Sequence, residues 1–254
     1  LLENNIKTVK LNDINGKIIS FYKHVYKMPD SLIKEYMKLE NKFNSLLSEE
    51  CKSLHKTKDK VKLKEYLQEA CQYYMEVRES FNNNKENNLE KSACLLFLQN
   101  HCFNGIYREN SKGNYNTPFN WEAKYFTEDK IVKKIMSVNN IFNMFDIHFS
   151  VSSFEKIDFN SDTLYYLDPP YINEDITENK YNQEAFTVEK QYELIDKLKN
   201  VSFVYSNHKN DLLDKKFQEL GLQLEIKEIP RKNIISASNE SRKNDKMEIL
   251  VSKY

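Results

Sequence analysis

The stretch Thr163-Leu164-Tyr165-Tyr166-Leu167-Asp168-Pro169-Pro170-Tyr171 constrains the fold more than any other part of the chain. Its apolar, aromatic run reads as a buried strand. It stops on an acid, two prolines and an aromatic. Proline has a fixed φ and no N–H, so Asp168 to Tyr171 cannot continue a ladder and must leave the strand as a stiff, extended loop. Open α/β sheets carry their ligand sites at that end of a strand. The loop offers a carboxylate, proline carbonyls and a flat ring, a set suited to holding a planar base by its exocyclic amine. The plainer reading is a Pro-Pro turn after an ordinary strand.

A chain of 254 residues accommodates one large domain, or one domain carrying a smaller inserted one. Lys+Arg and Asp+Glu both number 38, so an anionic partner must be met by a local basic patch and not by a global field. Cys51, Cys71, Cys94 and Cys102 are scattered, with no C-x-x-C pair and no histidine at metal-ligand spacing. They read as reduced thiols of a cytoplasmic protein, with no metal. No apolar run reaches the ~18–20 residues that span a bilayer, and no signal peptide opens the sequence. Glycine is scarce: Gly16, Gly105, Gly113 and Gly221 are all there are. None lies close enough to another to build a glycine-rich cradle for a phosphate or nucleoside.

Residues 6–14 alternate in part and place Asp13 at the tip of a strand, and a helix is expected over 16–27. An acid at the tip of the second strand of a Rossmann-type sheet takes the two ribose hydroxyls of a nucleoside; Asp13 also suits a helix N-cap. Residues 30–100 have helical period, interrupted by the polar run 82–88. Lys52, Lys56, Lys58, Lys60, Lys62 and Lys64 crowd one span of it, where a solvated helix face accounts for most of them. From Phe103 to Phe119 the chain suits a hairpin turning at Ser111-Lys112-Gly113-Asn114. It carries Arg108 near its tip, either as a guanine-reading probe of the major groove or as part of an ordinary surface hairpin. Beyond residue 127, helices are expected over 127–138, 187–199 and 211–220. Strands should end near Phe149 and run over 201–207, 222–229 and 247–251, the last two antiparallel. Residues 172–186 read as a loop over the site. The alternation describes an α/β sheet with a terminal hairpin.

In this order the chain resembles the DNA adenine-N6 methyltransferases of the Dam type, over essentially its whole length. Leu11-Asn12-Asp13-Ile14-Asn15 looks like the family's ribose-binding strand. Asn104-Gly105-Ile106-Tyr107-Arg108 through Asn116-Thr117-Pro118-Phe119 looks like its target-recognition hairpin. Asp168-Pro169-Pro170-Tyr171 matches its catalytic loop, and Arg231 through Arg242, with Ser236, Ser238 and Asn239, is similar to its serine- and arginine-bearing loop before the last strand.

The resemblance implies a Rossmann-like, S-adenosylmethionine-dependent methyltransferase sheet with an antiparallel C-terminal hairpin, formed by residues 1–29 and 127–254. An inserted, mainly helical target-recognition domain, residues 30–126, would carry the β-hairpin. It implies a monomeric, cytoplasmic, prokaryotic or phage-encoded enzyme that needs no metal and methylates N6 of a flipped adenine in double-stranded DNA, one setting being restriction-modification. Asp168, Pro169, Pro170 and Tyr171 would be catalytic. Asp13 and Asp168 would hold the cofactor, and Ile106, Arg108, Asn116, Pro118, Arg231, Ser236, Ser238, Asn239 and Arg242 would contact DNA. Two departures stand out. The family's F-x-G-x-G loop is absent, and the sequence is expected to lack roughly 35–40 residues ahead of Leu1, one βα unit and a leader. After Pro-Phe the family has glycine and a basic residue, whereas Asn120, Trp121 and Glu122 follow Phe119 here, so the target sequence stays open. A DNA-binding module without cofactor, and an RNA or protein amide methyltransferase sharing the catalytic loop, are the other readings.

Overall fold

The computed structural model describes residues 6–48, 64–121, 128–171, 178–179, 186–231 and 246–254. The fold is mixed α/β, in two compact units, Leu1–Ser153 and Phe154–Tyr254.

In the first unit β1 (Thr8–Asp13) feeds α1 (Gly16–Lys27), and α2 (Pro29–Ser45), α3 (Gln68–Asn83), α4 (Leu89–His101) and α5 (Glu128–Phe142) lead to β2 (Asp146–Val151). β1 and β2 pair in parallel, Thr8 opposite Asp146 and Asp13 opposite Val151. Helix α1 starts where it does because the Asn15 side chain accepts the Lys17 N–H at 3.0 Å, a standard N-cap. Its far end is closed by Asn139 of α5, whose amide donates to the Val25 and Tyr26 carbonyls at 2.9 Å, meeting acceptors a helix end leaves open. Pro29 opens α2, as its missing N–H permits. The core of this unit is aromatic, with Tyr36, Phe43, Tyr74, Phe81 and Phe97 all fully buried. It also buries a hydrogen-bonded pair, His101 Nε2 and Glu40 Oε2 at 2.9 Å, and Tyr36 donates to the same carboxylate oxygen.

The second unit contains a four-stranded sheet. β3 (Leu164–Leu167) is followed by the short pair β4 (Glu178–Asn179) and β5 (Phe186–Thr187), then α6 (Val188–Lys197), β6 (Ser202–His208), α7 (Asp211–Glu219), β7 (Glu225–Arg231) and β8 (Lys246–Lys253). The strand order is β3-β6-β8-β7. β3 and β6 are parallel, and β8 runs antiparallel to both of its neighbours, β6 and β7. One face of the sheet, carrying Phe203, Tyr205, Ile249 and Val251, packs on Leu194, Ile195 and Leu198 of the α6 segment and on Leu213 and Phe217 of α7. Gly221, at φ +63°, lets the chain turn after α7, which a side chain would resist.

Strand and helix positions follow the sequence closely, but the segment 103–119 does not form two regular strands. Backbone pairing between its arms is confined to the isolated antiparallel bridges Cys102–Phe119 and Glu109–Tyr115. The turn also falls one residue earlier than expected: the Gly113 N–H donates to the Asn110 carbonyl, and the Asn110 side chain accepts from the Lys112 and Asn114 N–H groups. An Asn that bonds its own downstream backbone outcompetes a serine for the first turn position. The lysines at 52–62, most of the expected loop 172–186, and Ser236, Ser238, Asn239 and Arg242 lie outside the described residues.

Candidate active site

Asp168 follows β3 directly. Leu167 pairs with Tyr205, so the next step of the register sets Asp168 beside Ser206 on one face of the sheet. The Ser206 hydroxyl donates to Asp168 Oδ1 at 2.8 Å and lies 3.3 Å from the Leu167 carbonyl. Two residues on, His208 meets the Tyr171 ring edge-to-face, centroids 4.8 Å apart. Burial raises the Tyr171 pKa, and its hydroxyl interacts with both Ser206 and Asp168.

The opposite face braces the same loop. Gln191 of α6 donates from Nε2 to the Pro170 carbonyl at 2.6 Å. The Tyr205 hydroxyl donates to Gln191 Oε1, and Asn207 Nδ2 donates to the Tyr205 oxygen at 3.1 Å. Gln191, Tyr205 and Asn207 are all completely buried. The Pro169 carbonyl accepts no hydrogen bond among the described residues. The sequence reading placed Asp168, Pro169, Pro170 and Tyr171 here and missed Ser206, His208, Gln191 and Tyr205. The signal available was the polar run Ser206-Asn207-His208 ending an otherwise apolar strand.

Asp13 ends β1 at the turn into α1. Its Oδ1 accepts the Asn15 N–H at 2.7 Å, so Asp13 shapes the turn while Asn15, not Asp13, is the N-cap. Burial raises the Asp13 pKa against that hydrogen bond. Its second oxygen has no partner among the described residues, which fits a carboxylate that accepts from ligand hydroxyls.

The segment 103–119 is held by α3. Tyr74, Arg78 and Asn82 lie one helical turn apart in sequence. Tyr74 and Arg78 donate to the Thr117 carbonyl at 2.9 and 3.3 Å. Asn82 bonds both the Tyr115 carbonyl and the Tyr115 N–H, at 3.0 and 2.8 Å, standing in for a neighbouring strand. Tyr115, Thr117 and Phe119 are therefore buried, and Pro118 between them is exposed. Arg108 is exposed too, and its guanidinium is aimed by Asn116: Nε to Asn116 Oδ1 at 2.8 Å and Nη2 to the Asn116 carbonyl at 3.2 Å. Ile106 is half-buried, and its carbonyl is taken by Thr117 Oγ1 at 2.8 Å. A polar relay ties this segment to the start of α1. Asn15 donates to the Tyr107 oxygen at 3.1 Å, Tyr107 donates to Glu109, and Lys17 bonds Glu109 and the Gly113 carbonyl at 2.6 and 2.9 Å. Among the described residues no cluster of His, Cys, Asp and Glu could hold a metal ion, and no helix is long and apolar enough to cross a membrane.

The site is an acceptor-rich Asp-Pro-Pro-Tyr loop at the carboxyl end of a strand in a mixed sheet, and comparison with known families names the class. Residues 1–235 match the D12 class N6 adenine-specific DNA methyltransferases, and the chain belongs to that family. It is 28% identical over 265 residues to the type II methyltransferase M.MjaIII of Methanocaldococcus jannaschii, covering 98% of this chain and 81% of that protein. To the type II methyltransferase M1.LlaDCHI of Lactococcus lactis subsp. cremoris it is 26% identical, over 84% of this chain and 69% of the relative. To the DNA adenine methylase of Haemophilus influenzae it is 30% identical, over 64% and 60%.

Proposed function

We propose that this adenine-specific DNA methyltransferase moves a methyl group from S-adenosylmethionine to N6 of an adenine flipped out of duplex DNA, at a defined target sequence. The observation that carries the mechanism is the pairing of acceptors at the end of β3: an Asp168 carboxylate oriented by Ser206, next to a Pro169 carbonyl that accepts nothing else among the described residues. Adenine N6 is a weak nucleophile because its lone pair is delocalised into the ring. Accepting both N6 protons, one on Asp168 and one on Pro169, favours a pyramidal nitrogen whose lone pair points out of the ring plane. S-adenosylmethionine supplies the electrophilic methyl group. Asp168 would take the proton that N6 sheds on methylation and pass it to solvent. The rest of the acceleration is positioning. The base must leave the stack, since N6 is out of reach in the duplex, and the Tyr171 ring would stack on it.

Asp13 would hold the ribose hydroxyls of the cofactor. Residues 1–29 and 127–254 would form a Rossmann-like catalytic domain, with β8 inserted antiparallel between β6 and β7 as its terminal hairpin. Residues 30–126 would form the target-recognition domain, in which Arg108, Asn116, Pro118 and Ile106 face the bases. The names of the two type II relatives support a restriction-modification setting. The test is methyl transfer from labelled S-adenosylmethionine to unmethylated duplexes by the full-length protein, with adenine identified as the product. Asp168→Ala should abolish transfer and leave duplex binding largely intact; near-normal turnover by that variant would refute the mechanism.

A further inference from the structure

The loop Asp168-Pro169-Pro170 is rich in acceptors and nearly empty of donors. Its two prolines have no N–H, so it cannot fix its own acceptors, and whatever fixes them must come from outside the loop. The structure shows two such donors. Ser206, only 4% exposed, donates to one Asp168 oxygen at 2.8 Å. Gln191, completely buried, donates to the Pro170 carbonyl at 2.6 Å. Gln191 is itself held by the Tyr205 hydroxyl, which Asn207 holds in turn. With those two spent, the carboxylate and proline acceptors left are the second Asp168 oxygen, near the Tyr171 hydroxyl, and the Pro169 carbonyl, two acceptors for the two protons of an exocyclic amine.

We propose that Ser206 and Gln191 are positioning residues for methyl transfer, one on each face of the sheet, which spend two acceptors of the loop so that the remaining carboxylate oxygen and the Pro169 carbonyl meet N6. This rests on the functional reading above. Neither residue touches the base. Ser206 sets the rotation of the Asp168 carboxylate. Gln191 sets the plane of the Pro170 peptide and hence, through a stiff Pro-Pro link, the direction of the Pro169 carbonyl. A buried glutamine suits the second task because it accepts from Tyr205 and donates to Pro170 with one planar group.

The test uses the full-length protein under single-turnover conditions, with enzyme in saturating excess over duplex and S-adenosylmethionine saturating. Ser206→Ala should slow transfer by about 10- to 100-fold, the range that misplacing a reacting group produces. Duplex and S-adenosylhomocysteine affinities should be unchanged, as should the fluorescence rise of a 2-aminopurine placed at the target base. Ser206→Thr, which restores the hydroxyl, should recover most of the rate. Gln191→Met, which deletes the donor at similar length, should act like Ser206→Ala. If Ser206→Ala does not fold, Ser206→Cys, a weaker donor of nearly the same size, is read in its place. A wild-type rate in Ser206→Ala, no rescue by threonine, or a loss that follows duplex affinity overturns the positioning role while the methyltransferase reading stands. A wild-type protein that methylates no duplex adenine overturns both.

Discussion

Asp13 shows what burying an acid at the end of a strand costs the fold. Burial holds its carboxyl above the ordinary carboxylate range, and the Asn15 N–H offsets this only in part. With the folded pKa above the unfolded one, the native state binds the proton more tightly. This contribution to stability is therefore fully present below the unfolded pKa and is lost as pH rises through the folded pKa. Asp13→Asn removes the charge and keeps an oxygen for Asn15. Its melting temperature should exceed the wild type's at neutral pH, and the gap should shrink as pH falls into the carboxylate range. The same variant should bind S-adenosylhomocysteine at least about tenfold more weakly by calorimetry, as a charged hydrogen bond contributes roughly 1.5–3 kcal/mol. A stabler variant with wild-type affinity would reduce Asp13 to a turn residue. Perturbed acids at clefts are functional candidates for this reason, and here the position was readable from the sequence as the last residue of a strand. That Asn15 and not Asp13 caps α1 was not readable, because both suit a cap and only the backbone decides.

At the scale of elements, legibility tracked how local the determining forces are. Helix α1 spans Gly16–Lys27, as its apolar spacing predicts, and β3 stops where Pro169 and Pro170 leave it no donor. The segment 103–119 was legible as a turn-forming region but not as irregular chain, since Tyr74, Arg78 and Asn82 come from a helix more than thirty positions away. Ser206 and Gln191 escaped notice for a similar reason: their meeting with Asp168 and Pro170 depends on strand order, which residue spacing does not encode. The segment makes its own prediction. Asn116 bonds the Nε and Nη2 atoms of Arg108, which fixes the guanidinium plane and leaves the rest of its fork outward. Arg108→Ala should cost about 1–3 kcal/mol on the cognate duplex and relax one base position. Asn116→Ala should relax the same position by a smaller amount, and the double variant should lose little more than Arg108→Ala alone, as residues sharing one interaction do. Additive losses, measured by competition against single-mismatch duplexes, would mean that Asn116 reads a base of its own. Equal losses on cognate and random duplexes would make Arg108 a phosphate contact.

For the molecule as a whole, the question is where a chain of zero net charge neutralises phosphates. DNA binding releases counterions in proportion to the phosphates contacted, so the charge must be concentrated. One concentration is the run of lysines from 52 to 64. The one described member, Lys64, already sits over the Trp121 ring at 5.9 Å, and spaced lysines in a run of this kind serve solubility. The other concentration is Arg231, Lys232, Arg242 and Lys243, at the end of β7 and before β8. The β-ladder registers place its root: Ile229 pairs with Glu248 and Glu248 with His208. The Arg231–Lys246 pair thus lies beyond His208, at the end of the sheet that carries Asp168. Rooted at the same end of the sheet as Asp168, with β6 between β3 and β8, this basic stretch of sequence would hold the backbone flanking a flipped base, and Ser236, Ser238 and Asn239 would add neutral donors suited to phosphate oxygens. Replacing Arg231 and Arg242 together by alanine should weaken all duplexes alike. It should also flatten the dependence of log affinity on log salt by about one unit per lost contact. The same replacement of Lys58 and Lys62 should change the slope far less. A larger slope change from the lysine pair would move the duplex onto the helical segment and leave the β7–β8 connection without a role in binding.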